Sequence, residues 1–125
     1  MAGRCSLDTH VSQCPKLGEV IKVYKLIFFV PEQQADLVKL AIFKAGAGRI
    51  GNYDQCCWQT VGQGQFRPLL GSAPFIGEQE VLERVKEIKV ELVCENSLIR
   101  QAVKALKAAH PYEEPAYEVY KLENF

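Results

Sequence analysis

The sequence predicts one α+β domain in which two helices cover one face of a four-stranded antiparallel sheet. The first observation is a strand–helix–strand pattern that occurs twice along the chain. The second is the length and composition of the chain. Its 125 residues, of which 48% are hydrophobic and 24% charged, can form one buried core but are too few for two domains. Residues 1–17 show no periodicity and are predicted to form an arm, and residues 18–125 the domain.

The first unit begins with Glu19–Val30, which is rich in β-branched and aromatic residues and therefore predicts a strand. Pro31 follows, and Glu32 then places an acid at the positive end of a helix dipole. Apolar residues at helical spacing predict a helix over Glu32–Ala45, which Gly46 ends.

The middle of the chain predicts an insertion between the two units. Tyr53–Val61 is typical of a strand, and the glycines of Gly62–Gly64 predict a turn after it. We therefore expect an extra hairpin over about Gly62–Val85. Val81–Val85 and Ile88–Cys94 both predict strand, either as two strands or as one that bends between them.

The second unit repeats the first. Asn96 is a favourable N-cap, and apolar residues three and four apart follow it. That helix must end by His110, because Pro111 disfavours helical geometry before it, and Pro115–Leu122 predicts the final strand. Two such units in tandem, with both helices on one face, give the ferredoxin-like split β-α-β arrangement.

The first strand carries apolar side chains on both of its faces. Leu26, Phe28 and Val30 line one face, and Ile27 and Phe29 line the other. The helices can cover only one face, and monomers rarely expose a patch of this kind. A second copy of the chain is the simplest cover, so we expect self-association.

Charge and hydropathy exclude several classes of protein. Lys+Arg and Asp+Glu number 15 each, so the formal net charge of zero argues against a broad nucleic-acid surface. The longest apolar stretch, Leu26–Val30, is too short to span a bilayer, and Met1–Pro15 lacks the apolar core of a signal peptide. We therefore expect a cytoplasmic protein whose five cysteines are reduced, three of them in a core.

A glycine-rich segment, Gly46–Gly51 (GAGRIG), matches the G-x-G-x-x-G pattern letter for letter. A dinucleotide-binding loop needs a strand before the glycines and a helix N-terminus after them, whereas these glycines follow a helix C-terminus, which repels phosphate. The pattern therefore indicates a helix stop and a tight turn. The alternative is a small-ligand cleft lined by Gly48, Arg49, Gly51 and Tyr53.

The densest group of functional side chains is His110–Pro115 (HPYEEP). A helix C-terminus favours protonated His110, which can hold an anion, and His110 with Glu113 and Glu114 can instead ligate a divalent metal ion. The alternative is a structural loop whose side chains cap the helix end. The sequence shows no nucleophile elbow and no catalytic triad, so we do not predict an enzyme.

The segment Gly62–Gly77 is unusually apolar for a loop. Its glycines and prolines specify a defined path, unlike a solvated linker, which is richer in serine and charge. It is either a structured hairpin that packs on its own domain, or a segment that crosses to a neighbouring subunit or folds over a ligand.

Two long segments carry a resemblance to a known family. Gly46–Gly77 (GAGRIGNYDQCCWQTVGQGQFRPLLGSAPFIG) and His110–Leu122 (HPYEEPAYEVYKL) closely resemble the small YqfO-type domain, which occurs alone in bacteria and as the insert within Nif-three-like proteins. The resemblance covers about Glu19–Leu122. The chain departs from the family at Cys57 and Trp58, where members usually have Ser and Phe.

The resemblance implies a ferredoxin-like domain of the CutA and PII signalling type, which forms homotrimers with ligand clefts between subunits. It also implies that the metal centre of complete Nif-three-like proteins lies in flanking lobes, outside the part that this chain resembles, so their metal-dependent activity is not carried over. We therefore expect a non-enzymatic, trimeric module that binds a small molecule or nucleotide, with no nucleic-acid or membrane partner.

The expected ligand site combines the glycine turn with the loop after the second helix: Gly48, Arg49, Gly51 and Tyr53 with His110, Tyr112, Glu113 and Glu114. The alternative function is a divalent-metal-binding protein that uses His110, Glu113 and Glu114.

Overall fold

A computed structural model describes residues 22–125 and contains four strands and two helices within them. The spatial order of the strands is β2-β3-β1-β4, and every neighbouring pair is antiparallel. This order confirms the predicted ferredoxin-like α+β fold. The elements in chain order are β1 (Val23–Pro31), a 3₁₀ turn (Glu32–Gln34), α1 (Ala35–Lys44), β2 (Trp58–Phe66), β3 (Glu83–Glu95), α2 (Ile99–Ala109) and β4 (Tyr117–Leu122).

The core lies between the helices and one face of the sheet. Alternate residues of the two central strands, β1 and β3, point into it, as the period of two requires. Residues of both helices complete the same cluster, so α1 and α2 cover the same face. Its largest fully buried side chains are Phe28, Leu26, Ile42, Leu92, Leu106, Val30, Val38 and Val90.

The insertion differs from its prediction. Gly62–Gly64 is not a turn, because β2 continues through both glycines and ends only at Phe66. The two predicted strands after the glycines form one continuous strand, β3, which begins at Glu83 and ends at Glu95. The loop 67–82 connects β2 to β3. The predicted extra hairpin is therefore the extension of two sheet strands, not a separate element.

The helix starts also differ from their predictions. The first turn of the predicted Glu32–Ala45 helix is wound as a 3₁₀ turn, in which the Ala35 N–H donates to the Glu32 carbonyl. Asn96 does not cap α2: its N–H donates to the carbonyl of Lys22 (2.9 Å), and Leu98 holds the cap position without a side-chain bond. The predicted arm and the start of the first predicted strand lie outside the described residues.

The sheet face away from the helices is less exposed than the sequence predicts. Ile27 lies on this face but is only 6% exposed, and Phe29 is half-buried. Beside Ile27, Lys25 Nζ and Glu91 Oε1 form an ion pair at 3.0 Å, and this pair lowers the pKa of Glu91. Trp58, in the same row of the sheet, is 65% exposed. This face therefore carries a mixed surface of apolar and paired charged groups.

The cysteines that the structure describes occupy three environments. Cys94 is in the core, and burial, with a smaller contribution from the Glu95 carboxylate, raises the pKa of its thiol to about 11. Cys57 packs against the edge of the core, whereas Cys56 is half-buried outside it, so two of the three cysteines within residues 22–125 lie in or against the core. Cys5 and Cys14 lie outside the described residues. No helix of the described part is long and apolar enough to cross a membrane.

We expect Gly48→Ala to destabilise the fold more than Gly71→Ala. Both glycines have positive φ, but a Cβ at Gly48 would lie 2.8 Å from Phe43 and 2.9 Å from the Cys56 carbonyl oxygen, whereas nothing lies within 4 Å of one at Gly71. Backbone strain alone costs about 1 kcal/mol, and strain with overpacking about 2–4 kcal/mol. Urea denaturation of both variants measures the difference, and equal losses would contradict it.

Candidate functional site

His110 sits at the end of α2, where its backbone turns extended before Pro111. The ring is buried and makes two hydrogen bonds: Nδ1 is 3.0 Å from the backbone N of Tyr112, and Nε2 is 2.7 Å from the carbonyl oxygen of Phe29. A backbone N–H can only donate and a carbonyl can only accept. His110 is therefore the neutral tautomer with its proton on Nε2.

This arrangement corrects the expectation of a protonated or metal-binding histidine. Burial lowers the pKa of His110, and this effect outweighs the Phe29 carbonyl and the Glu87 carboxylate, which both favour the charged form. Both ring nitrogens are occupied, so the ring offers no lone pair to a metal ion. Within residues 22–125, no three His, Cys, Asp or Glu side chains are grouped as ligands. The donor set of His110, Glu113 and Glu114 therefore does not fit a metal.

Tyr112 joins this loop to the opposite face of the sheet. Its hydroxyl donates to Glu87 Oε2 at 2.9 Å, and its ring meets the edge of Phe66, with centroids 5.7 Å apart. Burial, reinforced by Glu87, raises the pKa of Tyr112. The glycine at position 64 makes room for this contact, because a Cβ there would overlap Glu87 Oε1. The loop after α2 is thus fixed to β3 through one tyrosine.

A cleft of about 410 Å³ opens beside Tyr112, between this loop and the loop 67–82. Phe66, Phe75 and Ile76 contribute apolar walls, and Glu113 and Glu114 contribute carboxylates. The two loops are joined directly, because the Ala73 N–H donates to Glu113 Oε2 at 3.1 Å. The apolar segment predicted from the sequence therefore packs on its own domain and forms one wall of a cleft.

The loop 67–82 is held in shape by bonds within itself. Arg67 pairs with Glu80 at 3.1 Å, and the Glu80 N–H donates to the Pro68 carbonyl at 2.6 Å. The Ser72 hydroxyl donates to the Leu69 carbonyl at 2.6 Å. The wall of the cleft is therefore largely formed before any ligand arrives.

The glycine turn lies at the other end of the sheet. The Gly48 N–H donates to the Val93 carbonyl at 2.7 Å, and Arg49, Gly51 and Tyr53 are exposed beyond it. As predicted, these glycines follow the C-terminus of α1 and lead toward a strand. Val93 lies six positions after Glu87 in β3, a distance of about 20 Å along an antiparallel strand. One copy of the chain therefore does not bring the two halves of the expected ligand site together.

Sequence reasoning missed Glu87 as a member of the cleft, and it included Phe66 and Arg67 only within the apolar segment Gly62–Gly77. The available signal was the spacing of Gly62 and Gly64, which lie on one face of a strand and leave that face without side chains. A second cavity, of about 330 Å³, lies along these two glycines, and Glu87 lines both cavities.

The chain has clear relatives among curated proteins, although no protein-family model matches it. Proteins named GTP cyclohydrolase 1 type 2 homolog are 46% identical over 102 residues in Halalkalibacterium halodurans and 42% identical over 98 residues in Mycobacterium tuberculosis. These matches cover 82% and 78% of this chain but only 27% and 26% of the relatives. The chain spans about a quarter of the length of the curated relatives it matches.

Solved structures give the same assignment. A Bacillus cereus protein related to NIF3 superposes with a TM-score of 0.73 at 40% identity, over 89% of this chain and 28% of that one. The chain is homologous to one part of the NIF3-related proteins. This confirms the family resemblance that the sequence motifs predict.

More distant structures show only the fold of the chain. The divalent ion tolerance protein CutA1 from Ehrlichia chaffeensis matches with a TM-score of 0.61 at 14% identity, over 86% of this chain and 87% of that one. A Bacillus subtilis GlnK–ATP complex matches with a TM-score of 0.55 at 12% identity, over 81% and 82%. The CutA and PII type of ferredoxin-like fold is therefore confirmed.

We expect the stability of the domain to fall as the pH drops below about 6.5, the ordinary pKa of histidine. The pKa of folded His110 is below that of the unfolded chain, so its contribution is complete above pH 6.5 and is lost as the pH falls toward the folded pKa. His110→Gln should melt lower at pH 7.5, with a loss of about 1–3 kcal/mol, and should change less between pH 7.5 and 5.5.

Melting curves of wild type, His110→Gln and Lys104→Gln check this expectation. Lys104 is an exposed residue of α2, so its variant should retain the wild-type pH dependence. A His110→Gln protein that melts like wild type at pH 7.5 would contradict a buried, doubly bonded histidine.

Proposed function

We propose that this chain is a non-enzymatic, trimeric binding or regulatory module for a small ligand, and that the cleft beside Tyr112 forms part of its ligand site. The observation that carries the proposal is this preformed cleft. Its size falls within the range of small-molecule sites, which combine apolar walls with a few polar groups. The contact of Ala73 with Glu113 links its two walls without filling it.

The bonds of the cleft hydroxyls support a binding role over a catalytic one. Among the described residues that line the cleft, Ser72 donates its hydroxyl proton to a backbone carbonyl and Tyr112 donates its own to Glu87. The raised pKa of Tyr112 makes its phenolate a rare species near neutral pH. The relatives carry a name derived from GTP cyclohydrolase, but this chain matches only about a quarter of their length, so we propose that their named activity depends on other parts.

A trimer would unite the two ends of the sheet. In a three-fold ring each copy presents one surface to its neighbour and receives a different one, so distant parts of one chain can meet across the interface. The glycine turn with Arg49 and Tyr53 would then face the cleft of the next copy, as the family resemblance implies. We propose that the sheet face with Phe29 and Trp58 takes part in this association, because it is the sheet face that neither helix covers.

Divalent-metal binding through the His110–Glu114 loop is less well supported. Both ring nitrogens of His110 are engaged in hydrogen bonds and are not available to ligate a metal ion. Glu113 already accepts a hydrogen bond from the Ala73 N–H. We further propose a cytoplasmic location for the protein, which the sequence composition favours.

A ligand panel tests the binding function. We expect at least one compound from a set of nucleotides, amines and carboxylates to raise the melting temperature, since a ligand at 100 times its Kd adds about 2.7 kcal/mol. In ¹⁵N NMR titrations its shifts should concentrate in the loops 67–76 and 110–114. Shifts confined to the outer faces of α1 and α2 would contradict a ligand site in the cleft.

The trimer has its own test. Phe29→Glu should dissociate the assembly, because it buries a charge in the proposed contact. Leu37→Glu, on a 63% exposed position of α1, is the matched control and should leave the assembly intact. Size-exclusion chromatography with light scattering measures both variants at micromolar concentration. A monomeric wild type would overturn the trimer, and a trimeric Phe29→Glu protein would show that the contact lies elsewhere.

A further inference from the structure

We propose that the cleft beside Tyr112 selects an organic cation, namely a protonated amine carried on a small apolar body. This inference rests on the proposed function of the cleft as a ligand site and names its class of ligand. Three properties of the cleft lead to it: the charge of its lining, the way in which Glu87 is held, and the aromatic rings around that carboxylate.

The lining of the cleft is acidic in effect. Glu87, Glu113 and Glu114 supply three carboxylates, and Arg67 is the single cationic residue of the lining. The guanidinium of Arg67 already forms an ion pair with Glu80 at 3.1 Å. Glu80 does not line the cleft, so the positive charge of Arg67 is balanced by a carboxylate outside it. An anionic ligand would therefore meet like charges without a free cation, whereas a cationic ligand would meet complementary charge.

Glu87 is held in place before a ligand binds. The hydroxyl of Tyr112 donates to Oε2, and Gly64 provides the space that the carboxylate occupies. One bond to one oxygen leaves lone pairs on both oxygens of a carboxylate, which has about four acceptor sites. Glu87 can therefore accept from an ammonium group without giving up Tyr112, and hydrogen bonds between charged partners are the strongest of their kind.

Aromatic rings surround the same region. Phe66 and Tyr112 meet edge to face, and Phe75 in the opposite wall is 54% exposed. The faces of such rings attract cations and also pack against apolar groups. An amine attached to a ring or a short hydrocarbon would satisfy the aromatic walls and Glu87 together. A hydrated inorganic cation would leave those walls without a partner.

Three probes with similar bodies and different charges test the inference by isothermal titration calorimetry at pH 7. The probes are benzylamine, which is protonated at this pH, benzyl alcohol, which is neutral, and phenylacetate, which is anionic. We expect saturable binding of benzylamine, binding of benzyl alcohol at least about tenfold weaker, and weaker binding still of phenylacetate, because only the amine makes a charge-assisted bond.

Variants locate the interaction. Glu87→Gln keeps an oxygen that accepts from Tyr112, so the fold should persist while benzylamine binding weakens about tenfold or more. Glu123→Gln, an exposed carboxylate after β4, is the matched control and should bind benzylamine like wild type. The melting temperatures of both variants confirm that they are folded.

Several results would overturn the inference. These are equal affinity for the amine and the alcohol, tighter binding of phenylacetate, an unchanged affinity in folded Glu87→Gln, or no binding of any of the three probes. The broader proposal is judged separately, by the ligand panel and the NMR mapping. If another class of compound binds in the cleft, only the organic-cation inference falls.

Discussion

The pair of hydrogen bonds on His110 is the constraint on which the cleft depends. One bond ties the end of α2 to the central strand β1 through Phe29, and the other closes the loop onto the backbone of Tyr112. The bond from Tyr112 needs an unprotonated Nδ1 and therefore a neutral ring, which burial favours, whereas the bond to Phe29 needs only the proton on Nε2. With its backbone fixed in this way, Tyr112 places its hydroxyl against Glu87. The position of the loop after α2, which forms one wall of the cleft, therefore depends on the neutral form of His110.

The other wall depends on how far β2 and β3 extend. The register of these strands runs to the pair Phe66 and Glu83, well past the part that the helices cover. Gly64 on the edge strand leaves room there for the side chain of Glu87, whereas a Cβ at Gly62 would meet nothing within 4 Å. A strand interior normally loses stability at glycine, which is why such positions often mark a close approach by another group. Here that group is a carboxylate, held at the boundary of two cavities.

The sequence contains enough to predict the fold because its periodicities are local. The β-branched and aromatic composition of β1, the alternation in β3 and the helical spacing in α2 each specify an element, and the repeated unit specifies the topology. From the sequence alone the glycines at 62 and 64 predict a turn, because glycine marks both turns and close approaches, and only the partner strand distinguishes them. The sequence predicts a charged His110 for a similar reason: a helix C-terminus favours the cation, but burial, which the sequence does not display, outweighs it.

The remaining constraint is distance. The glycine turn and one wall of the Tyr112 cleft both belong to Gly46–Gly77, the first segment by which the chain resembles its relatives, yet about 20 Å of β3 separates them. A rigid central strand cannot shorten, so loop movement within one copy does not place the glycine turn and the cleft on one small ligand. Either the turn and the cleft serve different purposes, or they meet between copies. A ring of copies meets the second condition without any change in the domain, because each interface joins one end of a chain to a different surface of the next. Self-association would then be a requirement for the complete site, and a single copy would retain only the cleft and its carboxylates.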